Sequence, residues 1–250
     1  MFLPITDLNP EVLKMVIFGI DLVLLIPALM ISATPVLLAA IGEAVVEKSG
    51  VLNLGVEGMM ITGAVIGFII AVNTQVPIYG FFCAAVAGAL LSVIFALLTQ
   101  YTMSNQVATG LGLTMVGLGL SALIGKPYEG IKSPTLAKIE IPILSDIPIL
   151  GPMIFSHDAI VYFSIFVVAL VAFVINKTRI GLVLRAVGEN QEAAHALGYK
   201  VIRIRFIAIM FGGATAGIGG AYISLARVPQ WTEGMTAGAG VDCSCPCCIC

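Results

Sequence analysis

The chain has 250 residues, 59% of them hydrophobic and 10% charged, with a mean hydropathy of +1.08. Soluble domains hold roughly half apolar and about one quarter charged residues, so this composition excludes them and predicts a polytopic membrane protein. The formal charge is −2 and no basic stripe alternates with aromatics, which removes nucleic acid as a partner and leaves membrane lipid.

The N-terminus lacks the basic start of a signal peptide, because Asp7 and Glu11 precede the first cation, Lys14. Residues 1–21 mix Asp7, Glu11, Lys14 and Asp21 with apolar positions and predict an amphipathic interfacial lead-in. Six apolar runs of spanning length follow, at about 22–43, 54–73, 79–99, 106–125, 158–176 and 206–226. The fold class is therefore all-α: a helical bundle forming one transmembrane domain over 1–240. Its clearest span is the uncharged run 79–99.

Between the first two spans lies Gly50-Val-Leu-Asn-Leu-Gly-Val-Glu-Gly58. Glycine-broken helices at membrane depth free backbone groups and helix ends for substrate or ions. A carboxylate there is costly unless it serves an aqueous path. Asn53 and Glu57, four residues apart, would share a face if this segment were helical. Gly50, Asn53, Gly55, Glu57 and Gly58 are thus candidates for a substrate pathway.

The fourth span carries Gly110, Gly112, Gly117 and Gly119, which predict close helix packing. The connection 126–157 holds Pro127, Pro134, Pro142, Pro148 and Pro152 among β-branched runs, and predicts short extended pieces. It could cap the outer face for a delivery protein or simply connect two spans. His157 is expected at the outer edge of the fifth span, as a surface or interface residue.

The segment 177–205 is a basic island in an apolar chain. It holds Lys177, Arg179, Arg185, Lys200, Arg203 and Arg205 against Glu189 and Glu192. The positive-inside rule puts it in the cytoplasm. Counting back, the 43–57 region and the 100–105 turn lie inside, with 126–157 and the N-terminus outside. At the centre of the island, Glu192-Ala193-Ala194 precedes Gly198 by a helical spacing. Asn190 is a good N-cap, Glu192 suits the first turn, and Gly198 can adopt the left-handed stop. The pattern predicts a rigid two-turn helix presented to the cytoplasm, with His195 within it.

In the last span, Gly213, Gly217 and Ala221 share one face while Gly212, Ala216 and Gly220 share the next, a stripe that predicts packing and no chemistry. Five of the six cysteines fall at Cys243, Cys245, Cys247, Cys248 and Cys250. Their spacing matches no zinc module, so no metal site is expected, and 241–250 reads as a tail foreign to the membrane domain. No phosphate-binding Gly-rich loop, G-x-S-x-G or H-E-x-x-H occurs. No catalytic residues are assigned, and the chain is not expected to hydrolyse ATP.

The run GEAVVEKSGVLNLGVEGMMITGAVIGF (42–68) resembles permease subunits of bacterial ABC importers for nucleosides and simple sugars. NQVATGLGLTMVGLGLSALI (105–124), RIGLVLRAVGENQEAAHALGYKV (179–201) and GGAYISLARVPQWTEGMTAGAG (219–240) fit the same family in the same order. The I-x-L-P ending of other importer classes is missing, as is usual for this branch. The resemblance implies a multi-pass subunit of the bacterial plasma (inner) membrane that moves a nucleoside or simple sugar inward. It also implies a second permease subunit, identical or different, and an extracellular substrate-binding protein, often a lipoprotein. A cytoplasmic ABC ATPase would bind ATP and Mg, leaving this chain without a cofactor of its own. Coupling to that ATPase falls by analogy on Arg185, Gly188, Glu189, Asn190, Glu192, Ala193, Ala194 and Gly198. Related permeases continue past the T-A-G-x-G stretch with further spans, which implies C-terminal truncation here. The rival readings are a stand-alone channel or secondary transporter, and a truncated subunit that no longer transports.

Overall fold

The computed structural model describes residues 16–17, 20–134 and 157–240. Two-residue strands β1 (Val16–Ile17) and β2 (Ile20–Asp21) pair antiparallel just ahead of the first helix. The end of the expected amphipathic lead-in is thus a tight strand pairing, and the rest of it lies outside the described residues. Residues 135–156 and the cysteine-rich tail 241–250 also lie outside them.

The helices are α1 (Leu22–Lys48), α2 (Val56–Thr74), α3 (Pro77–Gln100), α4 (Gln106–Gly125), α5 (Ala159–Lys177), α6 (Arg179–Glu189), α7 (Gln191–Ala196) and α8 (Val201–Tyr222). Among the described residues, six helices are long and apolar enough to cross a membrane, one for each expected span. Their ends follow local chemistry. Pro77 opens α3 at a position where its missing N–H costs nothing, and Asn105 caps α4 by accepting from Val107 N at 3.0 Å. The first span runs five residues past its expected end. Glu47 and Lys48, expected beyond the first span in the inner 43–57 region, belong to α1, and the connection to α2 is only 49–55.

At the centre stands α8, packed on α1, α2 and α3. Its small residues permit this crowding. A Cβ added at Gly63 of α2 would lie 2.5 Å from the Gly217 Cα, so only glycine fits where these backbones meet. In lipid there is little hydrophobic gain from helix contact, and close backbone approach supplies dispersion instead. The expected packing role of the α8 stripe holds at Gly213 and Gly220 too, which abut Ser92 and Met60. On α4, Gly110 and Gly117 face Gly55, Leu54 and Gly58, whereas Gly112 and Gly119 meet nothing within 4 Å. The expectation of packing is therefore met by one face of that helix only.

After α8 a π-helical turn (Ile223–Arg227) leads into irregular chain. Ser133 N donates to Pro229 O at 3.0 Å, and Glu129 and Lys132 bridge to Trp231 and Gln230. Short extended pieces were expected in the proline-rich connection; its described start makes two isolated bridges, at Glu129 and Lys132, after a 3-10 turn at Lys126–Tyr128. Trp231 is buried against Gly125 at the end of α4. From there the chain turns back along the bundle to the beginning of α2.

Candidate functional site

Two neighbouring structures carry the polar chemistry: the break between α1 and α2, and the knob formed by α6 and α7. Each is built on a glycine stop. Gly50 has φ +81°, its N–H donates to Glu47 O at 2.9 Å, and Val51 N donates to Val46 O at 3.4 Å. Gly198 has φ +85°, its N–H donates to His195 O at 2.9 Å, and Tyr199 N donates to Ala194 O at 3.2 Å. Both are Schellman motifs, in which a left-handed residue lets two N–H groups turn back onto the last carbonyls.

The break starts at one end of the bundle, where Gly50 meets Gly188 and Arg205, and climbs toward the middle at Glu57 and Gly58, the latter packed against the centre of α4. Gly63 of α2 faces Gly217 of α8 and Gly67 faces Ala221, so the two helices run side by side in one direction. Glu57, about one and a half turns before Gly63, is then level with the middle of α8 and not its end. Irregular backbone at such depth needs partners within the protein. Side chains supply them. Leu52 N donates to Gln106 Oε1 at 2.9 Å, Asn53 N to Glu43 Oε1 at 3.1 Å, and Gly55 N to Asn53 Oδ1 at 3.1 Å. Thr114 Oγ1 donates to Leu54 O at 3.2 Å.

Asn53 is buried and turned inward, holding the N-terminus of α2. Glu57 is half-buried in the first helical turn, where its Oε1 accepts from Gly238 N at 3.0 Å. The two side chains do not share a helix face, because Asn53 stands in the break and not in a helix. Gly55 and Gly58 are buried against α4: a Cβ on Gly58 would come within 2.8 Å of Leu113 O and Thr114 Cα. These glycines shape the junction without lining an open space.

Sequence reasoning missed two contributors here. Glu43 is 5% exposed, and its second oxygen has no hydrogen-bond partner among the described residues. Sequence reasoning placed it at the last position of the first span, on the edge of the acidic 43–57 region, and gave it no role. The other is 234–240, which folds over Glu57 so closely that a Cβ on Gly240 would meet the Glu57 backbone. Its left-handed glycines, Gly234 (φ +72°) and Gly238 (φ +88°), were the available signal.

The knob has the expected cap. Asn190 Oδ1 accepts from Ala193 N at 3.0 Å. Glu189, Asn190, Glu192, Ala193, His195 and Gly198 are exposed, while Ala194 is buried with Val187 and Val201 in a small core of its own. Arg185 and Gly188 do not join the exposed set. Arg185 Nη2 donates to Ile175 O at 2.6 Å, tying α6 to the end of α5, and Gly188 packs against the Lys48 carbonyl and Gly50. His157, expected at the outer edge of the fifth span as a surface or interface residue, is buried, with Tyr162 edge-on at 6.4 Å between ring centres.

Known proteins resemble this chain over most of its length. A protein of Haloferax volcanii named as a putative glucose ABC transporter permease is 37% identical over 213 residues, 84% of this chain and 65% of its own length. A guanosine ABC transporter permease of Bacillus subtilis is 33% identical over 232 residues, 87% of this chain and 72% of its own. A nucleoside ABC transporter permease of Lactococcus lactis is 29% identical, with 87% of this chain and 72% of its own length covered. The chain thus spans about two thirds to three quarters of these relatives. No solved structure matches it. Residues 25–245 match the family described as branched-chain amino acid transport system / permease component, and this multi-pass membrane chain, with its six spanning helices and glycine-broken junction, belongs to that family.

Proposed function

We propose that the chain is a permease subunit of an ATP-binding-cassette importer that carries a nucleoside or simple sugar into the cell. The observation that carries this reading is the α7 knob. It is short, capped at Asn190, stopped at Gly198, seated on its own apolar core, and exposes Glu192 and Ala193. A rigid element transmits displacement; a flexible loop absorbs it. In this reading a cytoplasmic ATPase docks on α7 and supplies ATP hydrolysis with its own Mg. A second permease subunit and an external binding protein complete the path across the plasma membrane. The substrate class is supported by the names of the relatives, which print guanosine, nucleoside and glucose transport. The path runs beside the α1–α2 break, where Glu57, the Gly238 amide and the α2 N-terminus offer polar contacts at depth.

The test is uptake of labelled guanosine and glucose in cells expressing Glu192→Lys and Gly198→Val. Glu192→Lys reverses a charge on the exposed knob, and Gly198→Val forces a β-branched residue to positive φ. Both variants insert normally and lose most of their uptake. Wild-type uptake in both removes α7 as the docking element.

A further inference from the structure

We propose that Arg205 is a positioning residue that ties the orientation of α7 to the geometry of the α1–α2 break. The proposal rests on the reading of α7 as the docking helix and adds how its movement reaches the membrane interior. Arg205 projects from the first turns of α8 and is half-buried. Its Nη1 donates to Gln191 Oε1 at 2.9 Å, and Gln191 is the first residue of α7. Its Nε donates to Ser49 O at 3.0 Å, directly after the end of α1. One planar guanidinium therefore holds two elements 142 residues apart in sequence, from Ser49 to Gln191, in a fixed mutual position.

The contact is placed where it matters. Arg205 Nη2 lies 3.1 Å from where a Cβ on Gly50 would be, so the cation sits against the left-handed residue that ends α1. The C-terminal carbonyls of a helix carry partial negative charge, which a cation satisfies. Gly188, near the end of α6, packs on Lys48 O and Gly50 beside the guanidinium. Three residues beyond Gly50 is Asn53, whose N–H is held by Glu43 and whose side chain holds the Gly55 N–H. Displacement of α7 is thereby passed through Gln191, Arg205 and Ser49 to the start of α2. A plain cap on α1 would need only the Ser49 bond. The bond to Gln191 is what makes Arg205 a link.

Hydrogen exchange on the full-length chain in lipid nanodiscs separates a link from a cap. Gln191 is exposed, so Gln191→Leu removes the link's outer end without touching a packed residue. The expected result is exchange about fivefold to tenfold faster at the Leu52, Asn53 and Gly55 amides, the size of one ordinary hydrogen bond lost. Arg205→Met, which also loses the Ser49 bond, gives at least that increase, and Arg205→Lys returns part of the protection. Faster exchange confined to 189–198 in Gln191→Leu overturns the proposal and leaves Arg205 a cap.

A second arm uses the tagged complex from the native host, with uptake of guanosine or glucose measured per ATP hydrolysed. Arg205→Met and Gln191→Leu lower that ratio several-fold while the ATPase still co-purifies. An unchanged ratio overturns the link and spares the docking reading. Wild-type uptake that proceeds without the ATPase sinks the docking reading, and the exchange result then decides the link alone.

Discussion

A carboxylate in the interior of an apolar helix is tolerated when the fold gives its oxygens something to hold. Glu43 illustrates the point: it is buried in α1, and its Oε1 is the acceptor for the Asn53 N–H in the break. Asn53 in turn occupies the Gly55 N–H. Glu43 is thus the anchor of an irregular segment that has no helix or sheet to satisfy it. Replacing it with leucine strands the buried Asn53 amide, at a cost of about 1–3 kcal/mol. Glutamine keeps a carbonyl oxygen in place and is far milder. Thermal unfolding of the detergent-solubilised chain should fall clearly for Glu43→Leu and little for Glu43→Gln. Equal melting of Glu43→Leu and wild type would mean that the Glu43–Asn53 bond does not hold the junction. Glu57 is a different case, half-exposed with its bond to a glycine amide at the end of a turn-rich segment. Its loss should alter uptake more than stability.

Among the elements, the spans and the knob were legible because their signals are local. Long uncharged runs define α3 and α5, and Asn190, Glu192 and Gly198 carry the start and stop of α7 within one short stretch. The far end of α1 was not legible. Glu47 and Lys48 look like a solvated connection, yet the helix runs through them to the stop at Gly50, with Glu43 turned in to hold Asn53. The same holds for α6. Arg179, Arg185 and Glu189 gave it the look of a basic loop, yet Gly181, Leu184 and Val187 form a buried stripe at helical spacing. The return of 234–240 onto Glu57 is a contact across 181 residues, from Glu57 to Gly238, that no local pattern encodes. The clearest check at this scale is the cap itself. Asn190→Ala removes the acceptor for Ala193 N and should cost about 1 kcal/mol of α7 stability. Hydrogen exchange at Ala193 and Ala194 should then quicken about fivefold, with α6 unaffected. Unchanged protection would show that packing on Val187 and Val201, rather than the cap, holds α7 rigid.

Seen whole, the bundle has two chemically different ends. Lys48, Lys177, Arg179, Arg185, Lys200, Arg203 and Arg205 gather at one of them, where Gly188 meets the end of α1. At the other, Lys126, Lys132 and Arg227 stand among Glu129, Asp158 and Glu233. Cations are retained on the cytoplasmic side during insertion, and acids count weakly, which predicts that the first end faces inward. The apolar side chains left exposed between the ends, such as Phe82 at 70% and Leu123 at 77%, suit a lipid environment. This orientation determines whether α7 can meet an ATPase at all, and it can be read directly. In a chain whose six cysteines are serine, Lys132→Cys and His195→Cys each place one thiol on an exposed position at opposite ends. A membrane-impermeant maleimide should label Lys132→Cys in intact cells and His195→Cys only after permeabilisation. The reverse pattern would put the knob outside, where no ATP-hydrolysing partner could act on it, and would remove the importer reading whatever the knob's geometry.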